Sequence, residues 1–141
     1  LESNVAVIAL DQFPGMTAAA RRTAEAVMAM VAHADAVIID LRGNPGGSDG
    51  MNQFISSHFL PEAPVVITAR EYREGDGQRR TDYPNDPARG GGRLSQVPLF
   101  VLVDAATGSA AENMSFSLQG LGRAVIVGET TTGAAHSSQF H

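Results

Sequence analysis

The sequence predicts an α/β domain with a mainly parallel sheet flanked by helices, and three observations carry that prediction. Short β-branched apolar runs alternate with segments of helical periodicity along most of the chain. Two of those runs, residues 36–41 (AVIIDL) and 98–104 (PLFVLVD), are apolar almost throughout, as strands covered on both faces of a parallel sheet are. The runs are also separated by enough chain for crossover helices, which parallel pairing requires.

Taken in order, residues 4–10 (NVAVIAL) read as a buried strand that ends at DQFPG. Thr17 is placed to cap a helix reaching about Ala34, with Ala20, Ala24, Val27, Val31 and Ala34 on one face. Residues 36–41 form the second strand, completing a strand–helix–strand unit. RGNPGGSDG (residues 42–50) is a glycine-rich turn, after which Ser48 or Asp49 caps a helix whose apolar face holds Met51, Phe54, Ile55, His58 and Phe59. PVVITAR is a third strand. Residues 71–93 are charged and punctuated by proline and by GGG, and are expected to form an extended hairpin or surface loop. Then come strand 98–104, a helix from about Ser109 to Leu121 with Met114, Leu118 and Leu121 as its inner stripe, and a final strand 123–129. One domain, residues 1–141, accommodates all of this, and the chain is expected to be a segment of a longer protein.

Composition narrows the chemistry. The net charge is −5, which argues against nucleic acid as a main partner, because phosphate binding needs concentrated basic charge. All ten basic residues are arginines, so no lysine can serve as a base. The absence of cysteine excludes disulfides, thiolate metal sites and cysteine nucleophiles. No apolar run is long enough for a membrane-spanning helix, and no histidines fall at ligand spacing with carboxylates, so neither a metal nor a cofactor is expected.

Two strand ends carry candidate chemistry. Gly46 and Gly47 follow strand 36–41 and precede a helix, so their N–H groups are either oxyanion donors or parts of a tight turn. Ser109 follows strand 98–104 in the pattern Ser-x-x-Glu, which is a capping box by spelling, with Glu112 as its fourth residue. A serine at a strand-to-helix turn is also where exposed nucleophiles are placed, and the N–H of Ala110 would then be a second oxyanion donor. Asp40 and Arg42 are expected to pair and fix the glycine turn. Glu129 is either a turn acceptor or an active-site orienter. His136 is an accessory candidate, as base or substrate contact, whereas His58 reads as a core-edge histidine.

ADAVIIDLRGNPGGSDGM (residues 34–51) and VPLFVLVDAATGSAAENMSFSLQGLGRAVIVGETTTGAAH (residues 97–136) together resemble the core of the tail-specific, or C-terminal-processing, serine protease family. That core has a strand ending Asp-Leu-Arg-x-Asn-x-Gly-Gly, a Ser-Ala-x-Glu element opening a helix, and a strand closing in Gly-Glu-x-Thr-x-Gly. The resemblance implies a Clp-protease/crotonase-like fold and peptide-bond hydrolysis through an acyl-enzyme on Ser109. It aligns the N–H groups of Ala110 and of Gly46 or Gly47 with the oxyanion hole. The lysine-based branch places its general base where this chain has Ala134. The turn TTTGAAH is instead similar to the tricorn-like branch, in which a histidine from upstream of the core activates the serine and a glutamate downstream supports it. Neither segment lies in these residues, so flanking segments of the same protein are expected partners beside a peptide or protein substrate. The interphotoreceptor retinoid-binding protein repeats share this core, which leaves a non-catalytic hydrophobic-ligand binder as the alternative. The family's members are often secreted or periplasmic, and the resemblance implies that leaning for compartment; oligomeric state stays open.

Overall fold

A computed structural model of the protein describes residues 4–134. Its centre is a four-stranded parallel sheet in the order β1 (Val5–Ala9), β2 (Ala36–Asp40), β5 (Leu99–Val103), β6 (Val125–Gly128). Helices α1 (Ala18–Val31), α2 (Asp49–Ser57) and α3 (Ala110–Gly120) lie in the crossovers. The strand order runs one way across the sheet, so right-handed crossovers bring every helix to the same face.

Burial follows that topology. Ile8, Val37, Ile39, Leu99, Val101 and Val103 point into the core beneath the helices, where Met51, Phe59, Met114 and Leu118 are sealed from solvent. The alternate strand positions face away. Val7 is 63% exposed and Val125 56% exposed, with Ile38 half-buried and Phe100 exposed in the same register row. The strand at residues 4–10, expected to be buried, is therefore an edge strand buried on one side only, and its apolar content does not reveal which sides are covered.

The helices begin where local chemistry says they should. Thr17 is extended, and its side chain accepts a hydrogen bond from Ala20 N–H at 3.1 Å. Ser48 does the same for Met51 N–H at 3.3 Å. Each cap satisfies an N–H that the first turn leaves without a partner, worth about 1 kcal/mol. The inner stripe of α3 departs from expectation at its end. Met114 and Leu118 are buried, but Leu121 is 39% exposed, because the helix stops at Gly120 and the chain turns through Gly122 at φ +65°.

PVVITAR does not join the parallel sheet. It starts β3 (Val66–Glu74), which pairs antiparallel with β4 (Gly77–Pro84) as a separate two-stranded ribbon. The charged stretch 71–93 is thus half hairpin and half loop, including a short 3-10 turn at Arg93–Ser95. Its arginines pair with its own acids at Arg79–Glu74, Arg80–Glu71 and Arg80–Asp82, and these exposed pairs add little stability.

Candidate active site

Both candidate strand ends lie on the same edge of the sheet, since β2 and β5 are parallel neighbours, and three hydrogen bonds lace their turns together. Gly43 N–H donates to Asp104 Oδ1 at 2.9 Å, Thr107 Oγ1 to the Leu41 carbonyl at 2.8 Å, and Gly108 N–H to the Asn44 carbonyl at 2.9 Å. Asn44 is wholly buried and is the hub of this lacing. Its Nδ2 donates to the Leu10 carbonyl at 2.7 Å, and its Oδ1 accepts from Gly46 N–H at 2.8 Å. The Gly43 N–H is the largest cause that holds the Asp104 carboxyl below the usual carboxylate range, with the Ala106 N–H and Thr107 adding to it.

The glycine turn sits directly against Ser109. A Cβ on Gly46 would fall 2.6 Å from Ser109 Cβ and 2.9 Å from the Ala110 nitrogen, so any side chain there would displace the serine. Gly47 is pressed onto the other wall. Phe13 N–H donates to the Gly46 carbonyl and Ser48 N–H to the Phe13 carbonyl, each at 2.9 Å, and a Cβ on Gly47 would lie 2.2 Å from the Phe13 oxygen. Both glycines also have positive φ, +109° and +129°.

The two glycines, alternatives by sequence, separate here. Gly46 N–H is committed to Asn44, whereas Gly47 N–H has no acceptor among the described residues. The N–H of Ala110, at the first position of α3, likewise has none.

Ser109 is the only non-glycine residue with positive φ among the described residues (φ 51°, ψ −119°). A serine in this region carries backbone strain that its surroundings must hold in place. Glu112 does much of that holding. The spelling of a capping box is realised in outline, but only its glutamate half makes a hydrogen bond of ordinary geometry: Ser109 N–H donates to Glu112 Oε2 at 2.9 Å, and the hydroxyl makes no side-chain cap bond.

The same carboxylate accepts three more hydrogen bonds from the turn after β6. These come from Thr131 Oγ1 at 2.7 Å, Gly133 N–H at 2.5 Å and Ala134 N–H at 2.8 Å. Burial alone would raise the Glu112 carboxyl, but the bonds from Thr131, Gly133, Ala134 and Ser109 outweigh it and leave it below the ordinary glutamate value.

The remaining candidates are distributed as follows. Glu129 is exposed and makes one backbone bond, N–H to the Val103 carbonyl at 3.2 Å; the carboxylate that meets Ser109 is Glu112. His136 lies outside the described residues. His58 packs edge-on against Phe54, and burial lowers its pKa, as suits a core-edge histidine. Asp40 and Arg42 form the expected pair, with Nε–Oδ1 at 2.9 Å and Nη2–Oδ2 at 2.6 Å. The Asp-Leu-Arg-x-Asn-x-Gly-Gly motif contains Asn44 but gives it no role, and no motif assigns a role to Asp104 or Thr107. The available signal was polar residues placed in turns between otherwise apolar strand ends and helices.

Fold and site define an α/β domain that presents a serine at a strand-to-helix turn beside a glycine turn at the neighbouring strand end. The chain belongs to Peptidase family S41, whose family model matches residues 4–141. It is 38% identical over 100 residues to a carboxyl-terminal-processing protease of a Synechocystis species, covering 71% of this chain and 21% of that protein. Among solved structures it is similar to a photosystem II D1 C-terminal processing protease (TM-score 0.68, 26% identity, 89% of this chain and 30% of that one). It is also similar in fold to the tricorn protease (TM-score 0.55, 19% identity, 93% of this chain and 11% of that one). The core is thus of the expected Clp-protease/crotonase-like kind. The chain spans about a fifth of the length of the curated relatives it matches. None of these similarities bears on the hydrophobic-ligand alternative. Among the described residues no helix is long and apolar enough to cross a membrane.

Proposed function

We propose that residues 1–141 form the nucleophile-bearing core domain of a serine peptidase acting on peptide or protein substrates. The observation that supports this reading is the close contact of the Gly46 turn with a strained Ser109, while the N–H groups of Ala110 and Gly47 have no acceptor among the described residues.

In the proposed reaction Ser109 Oγ attacks the scissile carbonyl carbon and gives its proton to a general base. The carbonyl oxygen becomes an oxyanion that accepts hydrogen bonds from Ala110 and Gly47, a type of stabilisation worth about 3 kcal/mol per donor. Collapse of the intermediate breaks the C–N bond, and the base returns the proton to the leaving amine. Water then hydrolyses the ester on Ser109. The helix dipole of α3 favours the developing negative charge at its start.

The base is not lysine, since the sequence has none and Ala134 stands at the position that the lysine branch uses. The base this reading requires is a histidine, either one from a segment upstream of the core as in the tricorn-like branch or His136.

Fluorophosphonate labelling of the full-length protein tests the proposal. Stoichiometric labelling that disappears in Ser109→Ala is expected. Labelling that persists in that variant, or an unlabelled wild type that binds a hydrophobic ligand saturably, would overturn it.

A further inference from the structure

A cavity of about 160 Å³ opens beside the serine turn, between the start of α2, α3 and the β3–β4 ribbon. Three links fix its place. Asp49 and Gly50, on its wall, are the second and third residues after Gly47. Asn113, also on its wall, is one helical turn beyond Ser109, about 6 Å along the axis. Asn52 lines it as well, and its Nδ2 donates to the carbonyl of Ala110 at 3.2 Å. The nearest wall residues, Asp49 and Asn113, are therefore two residues from Gly47 and three from Ala110, whose N–H groups are assigned to the oxyanion. A peptide whose carbonyl is held between those N–H groups has a residue beside the scissile bond within reach of the cavity.

Among the three lining amides, one nitrogen has no acceptor among the described residues. Thr68 Oγ1 and Ser117 Oγ both donate to Asn113 Oδ1, at 2.6 and 3.0 Å. Two hydroxyl donors on one oxygen fix the amide plane, and the two hydrogens of Asn113 Nδ2 have no acceptor among the described residues. The other amides are occupied. Asn52 Oδ1 accepts from Ser56 Oγ at 2.9 Å, and Gln53 Nε2 donates to the Pro84 carbonyl at 2.5 Å. Ile67 and Tyr83 supply apolar wall. At the rim Arg70 is bound to Asp49 and lies over the Tyr83 ring, 5.3 Å from its centroid, so neither charge is free for a ligand.

We propose that this cavity is a substrate side-chain subsite beside the scissile bond, that it takes a neutral side chain carrying a hydrogen-bond acceptor (glutamine, asparagine, threonine or serine), and that Asn113 determines this preference. An apolar side chain would leave the Asn113 N–H groups unpaired and shielded from water. A charged one would be desolvated without a free counter-charge. The inference rests on the peptidase reading of Ser109 and names a feature of its substrate.

The test is cleavage of a degenerate peptide library by the full-length protein, with the products sequenced by mass spectrometry. Asn113→Asp keeps the shape and the oxygen that Thr68 and Ser117 bind, but replaces two donors with a charged acceptor. Asn113→Thr replaces the two amide donors with a single shorter hydroxyl and adds no charge, and thermal melting establishes that each variant is folded. The wild type should favour the four named side chains at one position flanking the cut. Asn113→Asp should reduce that preference at least about tenfold and admit lysine or arginine at the same position, while Asn113→Thr should relax it. A cleavage profile unchanged in both folded variants, or a wild-type preference for apolar or charged residues at both flanking positions, would refute the subsite. A wild type that cleaves nothing and is not labelled at Ser109 would instead refute the peptidase reading, and the subsite with it.

Discussion

At the scale of single residues, Glu112 has the largest measurable role after Ser109. Its two oxygens accept four hydrogen bonds, and an amide cannot reproduce them. Whichever way a glutamine is turned, its nitrogen faces at least one backbone N–H it cannot accept from. Glu112→Gln is expected to cost about 2–4 kcal/mol of stability and to free the Gly133 and Ala134 amides for faster hydrogen exchange. Unchanged exchange at those two amides would refute this role. The pH dependence has a definite sign. A carboxyl held below its unfolded value of about 4.3 contributes stability above that pH, and the contribution is lost as pH falls through the folded value. The stability difference between wild type and Glu112→Gln should therefore shrink on acidification below about pH 4, as chemical denaturation at a series of pH values would show. Sequence made Ser109, Ala110 and the glycine pair legible, because their motif is local. It could not choose between Gly46 and Gly47, since that choice depends on Asn44 Oδ1. Nor did it show the reach of Glu112 to residues 131–134, some twenty positions away.

At the scale of elements, caps and strands were readable because each rests on neighbours in sequence. The ribbon was not, because whether a β-rich run joins a sheet depends on free edges elsewhere. One residue secures several elements at once. Arg123, just before β6, donates from Nε to the Phe59 carbonyl at 2.6 Å, and from Nη2 to the Leu94 and Val97 carbonyls at 2.5 and 2.8 Å. Burial lowers its pKa. Arg123→Met retains the stem but strands three carbonyls, so a loss of about 3 kcal/mol is expected in urea unfolding. A midpoint equal to that of the wild type would contradict this.

At the scale of the whole molecule, the notable property among the described residues is a parallel sheet with helices on one face. Parallel sheets are normally covered on both faces. Here Val7, Phe100, Val125 and Val127 form an apolar surface on the open one. The 141-residue chain should accordingly bind the dye ANS in its folded state, and the double substitution Val7→Thr, Val125→Thr should weaken that binding with little change in melting temperature. Dye fluorescence insensitive to the pair would show that the surface is not the binding face. The alternation of strands and helices predicted the parallel sheet and its crossover helices. Strands 36–41 and 98–104, however, read as covered on both faces, are covered by helices on one only, with Ile38 half-buried and Phe100 exposed on the other. Which face stays open follows from strand order, and strand order is decided by pairings that no local pattern encodes.

The four-way junction at Glu112 also sets an order of events during synthesis. Three of its four donors belong to residues 131–134, which leave the ribosome after β6. Until they arrive, Glu112 can take the Ser109 N–H, but its carboxylate has no donors from the turn after β6 to anchor it. A nascent chain thus carries Ser109 and Glu112 before the three donors that complete the junction exist.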